Sequence, residues 1–340
     1  MNDSLRAETE KLARSWSQYE APFLQDYLVA DVEDPRINVQ SILSRHFLLG
    51  TLLGDRIQSI LTEEFHFAAA LNWLLQLNKR AGDTQELDAV LYALKRGADN
   101  AEGLEIPHFL VQTFASLPVP TYGIQIPNYI KDFLTGTRAQ NSQSTRNGNC
   151  LDTFLSIWKE VLSHETPQHI SVLEPACGSA NDYRFLDACG IARLIDYTGF
   201  DLCGKNVQNA QAMFPGVQFE VGNIFEINSL DDSFDFCFVH DLFEHLSLTG
   251  LEFAVKELCR VVRHGICVGF FQMDEIGEHV VRPIDDYHWN TLSMEKTKAL
   301  FAEEGFAVQA FQIGSYLHSR VGCAETHNPN AYTLLALRMV

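Results

Sequence analysis

The stretch Val-Leu-Glu-Pro-Ala-Cys-Gly-Ser-Ala-Asn-Asp at residues 172–182 decides the fold, because it joins three local signals. The apolar run Ile170–Leu173 is typical of a buried parallel strand, and Glu174 follows at its carboxyl end. Small residues then allow a ligand to approach the backbone closely, and a helix is expected from Asp182 onward. Such a strand, turn and helix place free N–H groups and the positive end of the helix dipole at the edge where parallel sheets bind ligands. The stretch therefore predicts a nucleotide-binding turn.

Three further predicted strands follow this turn. Tyr197–Asp201 predicts a short second strand, and its final carboxylate can accept hydrogen bonds from both hydroxyls of a ribose. Val217–Asn223 and Phe234–His240 predict the third and fourth strands. Because parallel strands present their carboxyl ends at one edge of a sheet, we expect the residues at these ends to meet around one ligand.

From residue 150 to residue 340 the chain resembles the class I S-adenosylmethionine-dependent methyltransferases, on the order of these motifs. The resemblance implies a Rossmann-like α/β fold, mostly parallel with a C-terminal antiparallel hairpin, behind an all-α N-terminal region. It also implies that the turn at Glu174–Ala180 wraps the methionine part of the cofactor, that Asp201 holds the ribose and that Gly222-Asn223 meets the adenine. The block His240–Leu246 is similar to the segment after the fourth strand in small-molecule members of the family.

The resemblance carries a set of cofactor-binding residues onto this chain. They are Glu174, Ala176, Gly178, Asp182, Asp201, Leu202, Asn223, Ile224 and His240. One departure from the family pattern lies in the turn, where Ala176 and Ala180 replace glycines. Alanine is tolerated there only if the backbone avoids left-handed angles, so right-handed or extended angles are expected at both positions.

Composition and charge narrow the class of protein. With 340 residues and a hydrophobic fraction of 46%, the chain can form two globular domains. No apolar run approaches the ~20 residues that cross a bilayer, and Met1–Glu10 is polar rather than a signal peptide, so a cytoplasmic location without membrane contact is expected. The net charge of −19 makes nucleic acid an unfavourable partner. The eight cysteines include no C-x-x-C pair, which argues against a disulfide framework or a zinc site.

Periodicity divides the chain into two parts. Residues 1–135 repeat apolar residues at helical spacing and predict an all-α region. Its predicted helices are Gln40–Phe47, Gly54–Leu77, Thr84–Lys95 and Ile106–Leu117. The polar stretch 136–149 predicts a linker to the methyltransferase domain at 150–340, in which Gly314–Asn330 is expected to be a long loop. The helical region has two interpretations: a lid and wall for the substrate pocket, or a module for homodimerisation.

The end of the predicted fourth strand carries the candidates for catalysis. Methyl transfer from a sulfonium holds the acceptor ~3 Å from the methyl carbon, and a hydroxyl or protonated amine must also lose a proton. His240 is the first candidate for the base, because imidazole titrates near neutral pH, and Asp241 could orient it. Two alternatives remain. The block could be structural, with His245 packing or capping, or the pairs His240/Glu244 and Asp241/His245 could hold a divalent ion, although we expect no metal.

Candidate substrate residues lie in two other segments. Tyr287 and His288 follow the predicted fifth strand, and His288 is also a second catalytic candidate. Tyr122 and Tyr129 belong to a proline-stiffened segment that could bring aromatic rings over a small ligand.

Two functions are compatible with these patterns. The first is S-adenosylmethionine-dependent methyl transfer to an oxygen or nitrogen of a small metabolite. The second is a cofactor-binding protein without turnover that acts as a partner or regulator. A second ligand beside the bound cofactor would name the acceptor and separate the two.

Overall fold

The computed structural model describes residues 3–17, 36–81, 85–116, 153–326 and 328–339. A seven-stranded sheet forms the centre of the C-terminal half. Its strands are β1 (Ile170–Pro175), β2 (Ile195–Asp201), β3 (Gln218–Val221), β4 (Phe234–His240), β5 (Val262–Phe270), β6 (Phe306–Gln312) and β7 (Tyr332–Arg338). Their order is β3-β2-β1-β4-β5-β7-β6, and β7 runs antiparallel to both of its neighbours. The predicted mostly parallel sheet with a C-terminal antiparallel hairpin is confirmed.

Helices flank the sheet and form most of the N-terminal region. They are α1 (Asp3–Ser17), α2 (Val39–Leu53), α3 (Gln58–Ala81), α4 (Gln85–Lys95), α5 (His108–Ser116), α6 (Thr153–Leu162), α7 (Asn181–Cys189), α8 (Gly204–Met213), α9 (Leu248–Val261), α10 (Met294–Glu303) and α11 (Ile313–Val321). None of the described helices is long and apolar enough to cross a membrane.

Two sequence predictions about these elements were wrong. The expected loop Gly314–Asn330 begins with most of α11, because Ile313 and Leu317 lie one helical turn apart and are both buried against Phe65 of α3. The apolar run Ile266–Met273 predicts the fifth strand, but β5 ends at Phe270. Met273 instead pairs with Leu292 in a separate two-residue ladder.

The chain order creates a crevice at the carboxyl edge of the sheet. From β1 the chain moves outward through β2 and β3, and it then returns to place β4 on the other side of β1. The order of strands therefore reverses between β1 and β4, which is where open α/β sheets bind ligands. Val172 and Leu173 are both buried although they face opposite sides of β1, because helices cover both faces.

The N-terminal helices share the hydrophobic core of the sheet. Leu49, Leu74 and Leu110, from α2, α3 and α5, belong to one buried cluster with Val172 of β1. In contrast, Leu5 of α1 lies in a second buried cluster with residues of β4, β5 and α9. The front region therefore packs against both faces of the sheet. The proposed linker at 136–149 lies outside the described residues, so the domain boundary stays a prediction.

Helix α2 approaches β5 closely because two glycines leave room for it. A side chain at Gly265 would come within 2.9 Å of the Phe47 ring, and one at Gly269 within 3.2 Å of the Gln40 amide nitrogen. The buried Gln40 Nε2 donates to the backbone oxygens of Phe270 and Tyr332, at 3.2 and 2.8 Å. The start of α2 is thereby attached to the carboxyl end of β5 and to the adjoining end of the antiparallel strand β7.

Candidate active site

The turn after β1 has a left-handed backbone at three positions. The φ angles are +54° at Ala176, +54° at Gly178 and +67° at Ala180. The expectation that the two alanines avoid such angles was therefore wrong. A left-handed residue other than glycine costs roughly 1–3 kcal/mol and persists only where its surroundings hold it. The requirement here is the tight passage from β1 into α7, whose N-terminal cap is Ala180.

Asp201 at the end of β2 holds this turn. Its Oδ2 accepts from the Gly178 N–H at 2.9 Å, and its Oδ1 accepts from the Cys203 N–H at 2.7 Å and the Asn206 amide at 3.4 Å. Burial raises the pKa of Asp201, and these three donors offset the rise in part. These donors use three of the four lone pairs of the carboxylate, so Oδ2 can still accept one hydrogen bond from a hydroxyl of a diol.

Glu174 is buried beneath the turn and accepts a hydrogen bond from the Tyr197 hydroxyl. Burial, followed by repulsion from Asp182 and Asp201, raises the pKa of Glu174 well above its ordinary range. Glu174, Asp182 and Asp201 bring three carboxyl groups close together in this crevice. A ligand that carries positive charge would relieve their mutual repulsion.

His240 lies at the end of β4 with a hydrogen-bond partner at each ring nitrogen. Nδ1 is 2.9 Å from Asp182 Oδ2, and Nε2 is 2.7 Å from Ser44 Oγ. Asp182, rather than the expected Asp241, therefore orients the ring. Burial would raise the pKa of Asp182, but His240 and Arg45 outweigh it and lower that pKa. Asp182 is therefore a carboxylate at neutral pH, and His240 Nδ1 must carry a proton.

The residues after β4 form a second polar cluster. His245 Nε2 lies 3.2 Å from Asp241 Oδ1, and its Nδ1 lies 3.0 Å from the His288 carbonyl oxygen. Both partners accept only, so His245 carries two N–H protons and a positive charge. Burial would lower the pKa of His245, but Asp241 and Glu244 raise it. This geometry matches the structural alternative for the block, and Tyr287 packs on the His245 ring edge to face.

Glu244 is fully buried in that cluster. Its Oε1 accepts from the Phe271 N–H at 2.8 Å, while Oε2 has no hydrogen-bond partner among the described residues. Burial, and then repulsion from Asp241, raises the pKa of Glu244 to about 6. No three His, Cys, Asp or Glu side chains in the described ranges are arranged to hold a metal ion.

Helix α1 reaches the carboxyl edge from the opposite face. Asn223, after β3, donates from Nδ2 to Thr9 Oγ1 at 3.0 Å and accepts at Oδ1 from the Phe225 N–H, also at 3.0 Å. Glu8 accepts from the N–H and the hydroxyl of Ser247, which caps α9. The N-terminal region therefore contacts the site at two separate places, through α1 and through α2.

Behind Ser44, α2 carries a buried charge network. Arg45 Nη2 is 3.1 Å from Glu64 Oε1, and Glu64 Oε2 is 2.7 Å from His46 and 2.8 Å from the Trp158 indole nitrogen. Burial would raise the pKa of Glu64, but Arg45, His46 and Trp158 lower it to about 2. The network joins α2 and α3 to α6, which covers the sheet.

The remaining predicted residues occupy different positions. Ile224 is a core residue and Leu202 is half-buried against the same core. Tyr287 and His288 form a two-residue strand paired with Pro283–Ile284 beside the His245 cluster rather than beside His240. Tyr122 and Tyr129 lie outside the described residues.

The structure adds three residues that the sequence did not indicate. Ser44 and Thr9 come from helices 196 and 214 positions away from their partners, and no local pattern connects them. Asn181 opens α7, and its buried Oδ1 has no hydrogen-bond partner in the described part of the chain. Its position directly after the small-residue turn was the available signal.

A cavity lies between α2, α7 and β4, next to His240. It is small and is partly open to solvent. Its lining residues are Ser41, Ser44, Arg45, Leu48, Asp182, Phe185, Leu186, Phe238 and His240. Two of these residues, Ser44 and Asp182, are hydrogen-bonded to His240.

The strand order and the glycine-containing turn held by an acid are features of class I methyltransferases. Residues 173–268 match the family model described as a methyltransferase domain. The matched residues extend from β1 into β5 and include the turn, Asp201 and His240. A search of curated proteins found no match to the chain.

The chain is also similar to solved structures at low identity. One is the 1,6-didemethyltoxoflavin-N1-methyltransferase of Burkholderia thailandensis with bound 1,6-didemethyltoxoflavin and S-adenosylhomocysteine (12% identity, TM-score 0.39, 72% of this chain and 95% of that one). Others are a methyltransferase from Methanosarcina mazei (14%, 0.39, 53% and 97%) and YcgJ from Bacillus subtilis (15%, 0.37, 55% and 98%).

Proposed function

We propose that this chain binds S-adenosylmethionine at the carboxyl edge of its sheet and transfers the methyl group to an oxygen or nitrogen of a small molecule. The observation that carries the proposal is the turn between β1 and α7. Asp201 holds that turn through the Gly178 N–H, at the point where the strand order reverses. This is the place in an open parallel sheet where a nucleoside ligand is bound.

The residues at this edge fit the cofactor. The Oδ1 of Asn181, which has no hydrogen-bond partner among the described residues, is an acceptor for its ammonium group, and Asp201 Oδ2 can accept from a ribose hydroxyl. Asn223, after β3, would meet the adenine. The acids Glu174 and Asp182 favour a ligand whose sulfonium and ammonium groups are positive. When bound, the cofactor would supply a methyl group that a nucleophile can attack.

His240 is proposed as the group that takes the acceptor's proton. With Nδ1 protonated toward Asp182, the neutral ring has its lone pair on Nε2, which faces Ser44 and the cavity. A proton gained at Nε2 would produce an imidazolium stabilised by the Asp182 carboxylate. Ser44 can hydrogen-bond to both protonation states of His240. Its hydroxyl donates to the neutral ring, and it accepts from the protonated ring once its own proton is directed to the Gln40 carbonyl oxygen, which lies 3.1 Å away.

Calorimetry with S-adenosylmethionine and S-adenosylhomocysteine tests cofactor binding. Asp201→Ala should lower the affinity thirty- to a hundredfold or more, because it removes ~2–3 kcal/mol of hydrogen bonding and releases the turn. The control is Asp196→Ala on the same strand, whose exposed side chain pairs only with His169 among the described residues. Absence of binding by the parent protein would contradict the proposal itself.

Turnover against a panel of small phenols and primary amines, followed by S-adenosylhomocysteine release, tests the chemistry. His240→Ala should reduce turnover ~10²-fold and remove the acidic limb of the pH profile while cofactor affinity changes little. Wild-type turnover in that variant would assign His240 a structural role. Cofactor binding without turnover on any acceptor would favour the non-catalytic alternative.

A further inference from the structure

Helix α1 contacts Asn223, the residue that is proposed to meet the base of the cofactor. Thr9 and Asn223 are both half-buried, and the Asn223 Nδ2 lies 3.0 Å from Thr9 Oγ1. On either side of Thr9, Leu5 and Leu12 are buried in the same core as Ile224 and its neighbours. The helix is therefore anchored against the segment after β3 by apolar packing, and Thr9 supplies a polar contact between the two anchors.

The direction of this hydrogen bond follows from the other partner of Thr9. The Thr9 hydroxyl donates its single proton to the Leu5 carbonyl oxygen at 2.8 Å, so at Asn223 the Thr9 oxygen acts as an acceptor. It must face the amide nitrogen of Asn223 rather than its oxygen. The Phe225 N–H, which can only donate, must in turn face the Asn223 oxygen. Thr9 and Phe225 thus define one of the two orientations that a carboxamide can adopt.

That orientation matters because the two ends of a carboxamide have opposite hydrogen-bonding character. Adenine presents a 6-amino donor beside an N1 acceptor, whereas hypoxanthine presents a 6-oxo acceptor beside an N1–H donor. A carboxamide that is free to turn over can satisfy either base, but one held in a single orientation can satisfy only one of them. An amide oxygen has two lone pairs, so the Asn223 oxygen can accept from an exocyclic amino group while it accepts from Phe225.

We propose that Thr9 of α1 is a specificity-determining residue, which selects adenine by holding the Asn223 carboxamide in one orientation. The inference rests on the proposed function, since it assumes that the cofactor base lies at Asn223. It assigns the N-terminal helix a role in cofactor recognition, although every cofactor motif in the sequence lies beyond residue 170. A purely structural α1 would bury the same apolar residues and leave base selectivity unchanged.

The test compares the affinities of S-adenosylhomocysteine and its hypoxanthine analogue, S-inosylhomocysteine, by calorimetry. Thr9→Val keeps the shape of the side chain but removes the acceptor. It should weaken S-adenosylhomocysteine binding five- to tenfold and shrink the preference for adenine at least fivefold. Thr9→Ser retains the hydroxyl and should behave like the parent. The control is Thr62→Val on α3. It removes the same kind of hydrogen bond, from the Thr62 hydroxyl to the carbonyl oxygen of Gln58 four residues earlier, at a position far from the site.

Each result is decisive. Failure of the parent protein to bind either ligand would contradict the proposed function rather than the role of Thr9. If the parent binds and Thr9→Val keeps both affinities, or loses both by the same factor, α1 only covers the pocket and the selectivity role is overturned. Thermal unfolding of each variant checks that the fold is retained.

Discussion

The two halves of the site are built in different ways. The half around β1 and β2 depends on local chain geometry, since Asp201 reaches Gly178 across two adjacent strands and the turn between them. The half around His240 depends on contacts between distant segments, since α2 supplies Ser44 and Gln40 from the other end of the chain. The comparison shows that a motif recognisable in the sequence can lie beside a polar cluster that only the complete fold assembles.

The largest test of this comparison removes the N-terminal region. A chain of residues 150–340 should fail to show a cooperative unfolding transition and should not bind S-adenosylhomocysteine. The reason is that α2 and α3 share a buried core with β1, and removal would expose that surface together with the Gly265 face of β5. Circular dichroism and calorimetry on the fragment measure both properties. A soluble fragment with parental affinity would show that the sheet half is independent.

The next test breaks the buried charge network of α2. Glu64→Gln should reduce the free energy of unfolding by about 3–5 kcal/mol, because it leaves the buried Arg45 guanidinium without its carboxylate. The control, Glu165→Gln, removes the exposed ion pair with Arg56 and should cost less than about 1 kcal/mol. Urea denaturation at neutral pH measures both. Equal costs would mean that burial of the Arg45 pair does not matter.

The buried pair of Glu64 and Arg45 should also make the stability of the protein depend on pH. Because the pKa of Glu64 falls from 4.5 to about 2 on folding, its contribution to stability is complete above pH 4.5 and is lost as the pH falls toward 2. The lowered pKa corresponds to about 3 kcal/mol. The Gln variant should lack this part of the acid-induced loss.

Glu244, which lies in the part of the chain that forms the sheet, should make stability depend on pH in the opposite direction. Its pKa rises from 4.5 to about 6 on folding, so the protonated form is favoured in the folded state and stability is lost as the pH rises through 6. The loss amounts to about 2 kcal/mol. Glu244→Gln should therefore gain about that much relative to the parent between pH 4 and pH 8, as measured by urea denaturation at both values. Glu252→Gln on the exposed face of α9 should show no such gain.

The features that could be predicted from the sequence are those that depend on local chain geometry, and the features that could not are those that depend on contacts between distant segments. The strand ends at Asp201 and His240 were predicted correctly, because apolar runs and the residues that end them are local signals. The partners of His240 could not be predicted, since the adjacent Asp241 competes with Asp182 and only the passage of β1 into α7 decides between them. Helix α1 was missed because its buried face consists of few residues, among them Leu5 and Leu12, within a polar segment.

The smallest expected effect concerns the angles of the turn itself. Ala176 is half-buried with φ at +54°, so Ala176→Gly should relieve left-handed strain of ~1–2 kcal/mol. The gain is opposed by the ~0.4–1 kcal/mol that glycine adds to the entropy of the unfolded chain. A net stabilisation of up to ~1 kcal/mol is expected, with unchanged affinity for S-adenosylhomocysteine. The control Ala188→Gly, at a half-buried position in α7, should instead destabilise by ~1 kcal/mol. Thermal unfolding compares the two variants, and a loss of similar size at both positions would show that Ala176 carries no strain.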